Sequence, residues 1–417
     1  MINKPKGTQD ILPQDSPLWR KIEDAAHRVC AAFGYQEMRT PVFEDTSLFQ
    51  RGVGDSTDVV QKEMYTFEDK GGRSITLRPE GTASFVRSYI ENSLYANPQP
   101  TKLYYLISCY RYEKPQSGRL REFHQFGVEC FGGTTDATDV EVITLALRFF
   151  EELDVKDLVL NLNSIGCPVC KKEYNQKLVE YFKQYEDKLC DTCKERLYKN
   201  PMRIIDCKSP ICSEIAADAP KMIDHLCADC QEHFDKTRAY LDALKVPYQV
   251  NPNIVRGLDY YTRTVFEITS SSLGAQSTVC GGGRYNGLVE ELGGKPTEGI
   301  GFAIGLERLI LILKNQGYSA VTEQTPALYV ASIGEEADMF TQKLVFTLRS
   351  KGIHAESDLC GRSVKAQMKY ANKLAAKFTM VLGEDEIKRG TADLKNMETG
   401  KTQSVSLDED TIYTMIK

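Results

Sequence analysis

The chain nowhere places roughly eighteen apolar residues in succession, the length a helix needs to cross a bilayer. Its first residues do not join a basic start to an apolar stretch, so nothing there resembles an export signal. Both absences lead to the expectation of a cytoplasmic protein. Positive charge is not in excess: 52 Lys and Arg against 58 Asp and Glu leave a net −6. That excludes a global pull on nucleic acid and leaves room for a local basic surface. Internal repeats and low-complexity tracts are missing as well, which argues against solenoids and disordered linkers. What remains is a globular chain of 417 residues, too long for one ordinary core, so two or three domains are expected.

Cysteine, by contrast, is abundant. Eight of the 13 fall between Cys167 and Cys230, and in a reducing compartment clustered thiols bind metal or stay free more often than they pair. Cys167, Cys170, Cys190 and Cys193 read C-x2-C, nineteen residues, C-x2-C, close to a zinc-ribbon spacing. They are candidate zinc ligands. Cys207, Cys212, Cys227 and Cys230 follow, so two four-thiolate sites or one interleaved site are open, and so are eight free thiols in a helical subdomain. Residues 165–240, mainly helical and charged, read as an insertion.

Along the rest of the chain, Ser16 and Pro17 open an amphipathic helix that runs through Ala32 and stops at Gly34. "YQEMRTPVFED" reads as a strand broken by Pro41, fit for an edge or an interface. "KLYYLISCYRYE" and "REFHQFGVECFG" read as an antiparallel hairpin with a basic tip. Alternation puts Phe123, Gln125, Gly127 and Glu129 on one face, a polar face more suited to a ligand floor than to a core. His124 points the other way and reads as a packed residue. From about residue 326, strands and helices alternate as in a separate parallel α/β domain.

Polar side chains then gather into one logic. Glu80 and Thr82 in "RPEGTASFVR", the hairpin's Arg111, Glu113, Arg121, Gln125 and Glu129, Arg256, Tyr260 and Tyr261 in "RGLDYYTRTVFE", and Arg308 combine carboxylates and amides with several arginines. The first suit an ammonium group, the second a polyphosphate. An amino acid together with ATP is the economical inference.

At these residues the sequence resembles the histidyl-tRNA synthetases of bacterial type, class II aminoacyl-tRNA synthetases. "RTPVFED", "RYEKPQSGRLREFHQFGVE" and "GIGFAIGLERL" resemble the three class motifs in order, and "RGLDYYTRTVFE" and "GGGRYNGL" resemble the two signatures of the histidine family. The resemblance implies an α+β fold: an antiparallel-sheet catalytic domain over residues 1–325 with a helical insertion, and an α/β anticodon-binding domain over 326–417, in a homodimer. It implies that Glu80, Thr82 and Gln125 hold the α-amino group, that Tyr260 and Tyr261 line the histidine pocket with Glu129 reading an imidazole N–H, and that Arg256 and Arg111 act on the reacting carboxylate and the α-phosphate. For ATP it implies adenine contact by Glu113, stacking by Phe123, and β- and γ-phosphates held by Arg121 and Arg308 with Mg2+. Lys114, Gln116 and Arg119, at the hairpin tip, are expected beside the acceptor end of tRNA(His). Two rivals compete: an inactive relative serving as regulatory subunit of ATP phosphoribosyltransferase, which lacks the anticodon domain, and a synthetase for another amino acid, which lacks the Glu129 and tyrosine set.

Overall fold

The computed structural model describes residues 1–54, 57, 59–276, 278–318 and 325–417. The chain forms two compact units, Met1–Ala320 and Val321–Lys417. Strands of the first unit are, in chain order, β1 (Gln36–Glu37), β2 (Phe43–Asp45), β3 (Tyr65–Glu68), β4 (Ser74–Leu77), β5 (Thr101–Tyr110), β6 (Glu122–Phe131), β7 (Leu158–Ser164), β8 (Gln249–Val250), β9 (Thr262–Ser270), β10 (Thr278–Arg284) and β11 (Gly299–Gly305). Among the described residues they build an eight-stranded sheet, β1-β5-β6-β11-β10-β9-β7-β8, and a three-stranded sheet, β2-β4-β3. From β5 to β7 every neighbour is antiparallel, and only the two-residue strands β1 and β8 join in parallel.

The period of two separates core from site. Phe126 and Val128 of β6 and Ile300, Phe302 and Ile304 of β11 pack into one buried cluster with Leu18 and Ile22 of the helix Ser16–Phe33 and Phe149 of the helix Asp136–Glu152. Removing each such side chain from water contributes about 1.5–3 kcal/mol. The intervening residues, including Gln125, Gly127 and Glu129, face the other side, as their alternation requires. The first helix begins at Ser16, with Asp15 rather than Ser16 at the cap position, and ends at Gly34 with φ 76°. Pro41 divides "YQEMRTPVFED" between two sheets: Gln36 and Glu37 pair with β5, whereas Phe43–Asp45 pairs with β4. Arg78 ties this junction down by donating to the carbonyls of Thr40, Pro41 and Ser108.

Between β7 and β8 the chain leaves the sheet for the helices Pro168–Lys183, Asp191–Lys199, Met202–Ile205, Pro210–Ala217 and Ala228–Ala243, the helical insertion expected. The second unit carries β12 (Leu328–Ser332), β13 (Ala355–Ser357), β14 (Phe378–Leu382), β15 (Thr391–Asn396) and β16 (Thr402–Ser406) in the order β13-β12-β14-β15-β16. Its first three strands are parallel as expected, but β14, β15 and β16 are antiparallel neighbours. The sheet is therefore mixed: the connection 383–390, with the one short helix Glu384–Arg389, reverses the chain after β14 without crossing the sheet, and loop 397–401 closes β15 and β16 as a hairpin. No helix among the described residues is long and apolar enough to cross a membrane.

Candidate active site

Six of the residues expected to hold the amino acid, Glu80, Thr82, Gln125, Arg256, Tyr260 and Tyr261, line one cavity of about 130 Å³ on the open face of the large sheet. Glu80 is fixed first. Its two carboxylate oxygens accept the backbone N–H groups of Thr82 and Ala83 at 2.7 and 2.8 Å, which caps the helix Thr82–Glu91, while burial raises its pKa. Tyr260 and Tyr261 pack ring to ring with centroids 4.7 Å apart. Burial holds the phenols of Tyr105, Tyr260 and Tyr285 well above their ordinary pKa, so they stay protonated hydrogen-bond donors.

Glu129 departs from expectation. It is 1 % exposed and lies beneath the cavity lining instead of forming part of it. Its carboxyl already accepts the hydroxyls of Thr82 (2.7 Å), Tyr105 (3.2 Å) and Tyr285 (2.5 Å). Those three residues line the cavity. Their hydroxyl protons are turned toward Glu129, which leaves oxygen lone pairs as acceptors. Burial pushes the Glu129 carboxyl up to about 8, against the lowering effect of the Tyr285 hydroxyl. The space for this group comes from motif glycine: a Cβ on Gly301 would lie 2.1 Å from Glu129 Oε2.

Arg256 closes the cavity. Its guanidinium lies across Gly281, where a Cβ would come within 2.2 Å of Nη2. Nη1 pairs with Glu267, and Nε is buried with no hydrogen-bond partner. An orphaned buried donor is costly, and a carboxylate or phosphate oxygen would relieve it. Glu267 also accepts from the Thr278 hydroxyl at 2.9 Å, and the Thr278 carbonyl accepts from Arg308. A continuous chain of polar contacts thus links the cavity to the second cationic group.

That group consists of Arg111, Arg119 and Arg308 with Glu113. Arg111 lies over the Phe123 ring, 4.1 Å from its centroid, and 3.7 Å from Glu113. Burial first, then repulsion by Arg119, brings Arg111 down to about 10 and lowers Arg308 as well. A polyphosphate would remove this strain between like charges. Arg119 joins this group from the hairpin tip. The tight turn Gln116–Arg119, with Gly118 at φ 67°, packs on Leu311 and Arg308 and folds the Arg119 side chain back onto Glu113. Lys114 and Gln116 stay exposed as expected for a tip. The Arg121 guanidinium lies across Tyr112, 4.1 Å from its ring centroid, and its Nε donates to the Glu113 carbonyl at 3.1 Å, while the backbone N–H of Arg121 donates to the Gly7 carbonyl. His124 is packed, edge-on to Trp19 and bonded to Glu307 at 2.9 Å.

The thiols form two sets. Cys167, Cys170, Cys227 and Cys230 converge in one and Cys190, Cys193, Cys207 and Cys212 in the other, with ligand atoms within 4.8 Å of one another. The four cysteines singled out by ribbon spacing therefore belong to different clusters, because each C-x2-C opens its own helix and meets thiols from further along the chain. Sulfur separations of 3.5, 3.9 and 4.0 Å are too long for a disulfide and bracket the roughly 3.8 Å edge of a tetrahedron with Zn–S near 2.3 Å. Backbone N–H groups of Cys227 and Cys190 donate to Cys170 and Cys212 sulfurs at 3.1 and 3.3 Å, as suits thiolates.

Sequence reasoning passed over Tyr105, Tyr285, Glu267 and Gly281. Tyr285 and Gly281 stand inside "CGGGRYNGL" and Glu267 ends "RGLDYYTRTVFE", so the signal was present without a way to assign it.

An antiparallel sheet that sets an amino-acid-sized cavity beside clustered guanidiniums suits the joining of an amino acid to ATP, the first step of an aminoacyl-tRNA synthetase. Comparison with known proteins gives the family. A histidyl-tRNA synthetase sequence model matches residues 7–171 and 202–309, and an anticodon binding domain model matches 327–410. A histidine–tRNA ligase of Acetivibrio thermocellus is 57% identical over 408 residues, 98% of each chain, and that of Clostridioides difficile is 54% identical over 98% of this chain and 97% of its own. The structure of apo S. aureus histidyl-tRNA synthetase superposes with a TM-score of 0.83 at 42% identity, covering 99% of both chains. The chain belongs to the histidyl-tRNA synthetase family. Its activity is ATP-dependent activation of histidine and charging of tRNA(His).

Proposed function

We propose that the cavity under Arg256 takes histidine and that the Arg111, Arg119 and Arg308 cluster takes the ATP phosphates. The observation that carries this is the orphaned, buried Nε of Arg256, poised between the cavity and the polar chain that leads to Arg308. Glu80, Thr82 and Gln125 hold the α-amino group. Tyr260 and Tyr261 border the ring, and Glu129 acts through Tyr105 and Tyr285, whose oxygens face the ring as acceptors for an imidazole N–H. A side chain lacking that N–H leaves these acceptors unpaired, a strong basis for discrimination.

The histidine carboxylate attacks the α-phosphorus in line and pyrophosphate leaves. Such a displacement asks for positioning and charge stabilisation more than for an acid or base. Arg256 and Arg111 stabilise charge at the α-phosphate, Arg119 and Arg308 on the departing phosphates, and Arg121 borders them. Mg2+ accompanies ATP as its counterion. Glu113 and Phe123 form the adenine seat once Arg111 moves from the ring to the phosphate. The adenylate then passes histidine to the terminal ribose of the tRNA, near Lys114 and Gln116, while residues 326–417 bind the anticodon.

Each thiol cluster holds one structural zinc ion. Homodimerisation uses the exposed apolar face of the small sheet, where Phe43 and Phe67 are 56% and 49% exposed and stand in register with Leu77 and Ile75. In ATP–pyrophosphate exchange, Tyr285→Phe should raise the KM for histidine while sparing that for ATP. Equal effects on both would remove the assigned role. Elemental analysis should find about two zinc ions per chain, and Phe43→Lys with Phe67→Lys should shift sedimentation to a monomer.

A further inference from the structure

The cysteine-rich insertion grips the loop 256–261 at both ends. Lys171 directly follows Cys170 in the chain, and its ammonium donates to the Tyr261 carbonyl. Arg203 lies between Cys193 and Cys207, and its guanidinium donates to the Arg256 carbonyl at 2.9 Å. Midway, the Asn200 amide donates to Asp259 Oδ1 at 2.9 Å. Apolar packing follows the same path, since one buried cluster contains Tyr260, Tyr261 and Tyr285 together with Cys170, Cys193, Cys212 and Cys230.

The two cation donors ride on segments that the thiols fix. Cys167 and Cys170 occupy the start of the helix Pro168–Lys183 that carries Lys171, and their cluster ties it to the start of the helix Ala228–Ala243. The short helix Met202–Ile205 that carries Arg203 is flanked on both sides by ligands of the second cluster. A carbonyl held by a charged donor on a cross-linked segment cannot drift, and the loop so held presents Arg256, Tyr260 and Tyr261 to the cavity.

We propose that the insertion is a clamp on the histidine-binding loop, with Lys171, Asn200 and Arg203 as positioning residues and the two thiolate clusters setting the clamp's geometry; the role given to the clusters rests on the zinc reading above. The histidyl-tRNA synthetase model matches residues 7–171 and 202–309, so Cys190, Cys193 and Asn200 lie outside the match whereas Lys171 and Arg203 lie inside it.

The test uses the full-length protein, with zinc content and thermal unfolding measured on every variant. Lys171→Met and Arg203→Met should each raise the KM for histidine in pyrophosphate exchange on the order of tenfold, the worth of one charge-assisted hydrogen bond. The KM for ATP should stay within about twofold. Lys171→Arg and Arg203→Lys should recover part of the loss. Asn200→Ala, which touches no thiol, should show the same histidine-selective change even if the other two fold poorly. Folded variants with wild-type KM for histidine overturn the clamp. For the wild type, dialysis against a chelator should release zinc and raise the same KM. Zinc loss with unchanged KM overturns the link to the clusters, whereas protein that never carries zinc overturns the zinc reading and leaves the clamp to the three variants.

Discussion

Gly281→Ala separates folding from catalysis at one atom. Gly281 lies outside the left-handed region of backbone space, and the three atoms nearest its missing Cβ belong to Arg256: Nη2 at 2.2 Å and Cζ and Nη1 at 2.6 Å. Ordinary contact begins near 3.4 Å, so the guanidinium must retreat by about 3.4 − 2.2 = 1.2 Å. It is not free to do so without cost, because Nη1 is paired with Glu267 and the group lies 5.6 Å from the Tyr261 ring centroid. A displacement of about 1 Å from the reacting position is worth roughly a hundredfold in rate, or about 2.7 kcal/mol of barrier. Overpacking of this kind costs the fold about 1–3 kcal/mol, offset by the roughly 0.4–1 kcal/mol that glycine to alanine gains by narrowing the unfolded ensemble, so the protein should still fold. Pyrophosphate exchange and thermal unfolding, run on the same preparation, should therefore show kcat/KM lowered about a hundredfold in a protein that still unfolds cooperatively at a modestly lower Tm. Wild-type kcat/KM with normal stability would refute the assignment of Arg256 to the reacting centre.

Arg284, fully buried with its partner Asp139 at 2.7 Å, should be the costliest single loss in the sheet: Arg284→Met leaves the buried carboxylate with only His233 beside it at 3.4 Å and should cost about 3–5 kcal/mol in urea unfolding, with Asp139→Asn added to it recovering part. A loss below about 1 kcal/mol would contradict that burial. Burial raises the Glu129 carboxyl from 4.5 up to about 8, against the lowering effect of the hydroxyls that donate to it. A raised carboxyl favours folding fully below its unfolded pKa and loses that contribution as pH rises to the folded value, so stability of the ligand-free protein should decline relative to Glu129→Gln across that window. Parallel curves for the two proteins would show that Glu129 does not titrate there. Removal of residues 326–417 should spare exchange and abolish tRNA charging; loss of both would mean that the second unit supports the first.

By itself the sequence determined whatever depends on neighbours along the chain. The helix stop at Gly34, the division of strands at Pro41, the alternation that turns Gln125 and Glu129 away from Phe126 and Val128, and the ordered motifs that carry the family all follow from local chemistry and spacing. Tertiary structure decided which distant groups meet. The thiol partners could not be read from spacing, because Cys170 meets Cys227 and Cys193 meets Cys207 only after the insertion's helices fold back. Arg119 looked like a tip residue until a four-residue turn packed it onto Glu113. Glu129 looked like a pocket wall until Tyr105, Thr82 and Tyr285 closed over it. The glycines of "CGGGRY" and "GIGF" carried no legible purpose in one dimension, because what they supply is empty volume, and that acquires a function only when Arg256 and Glu129 arrive from elsewhere to fill it.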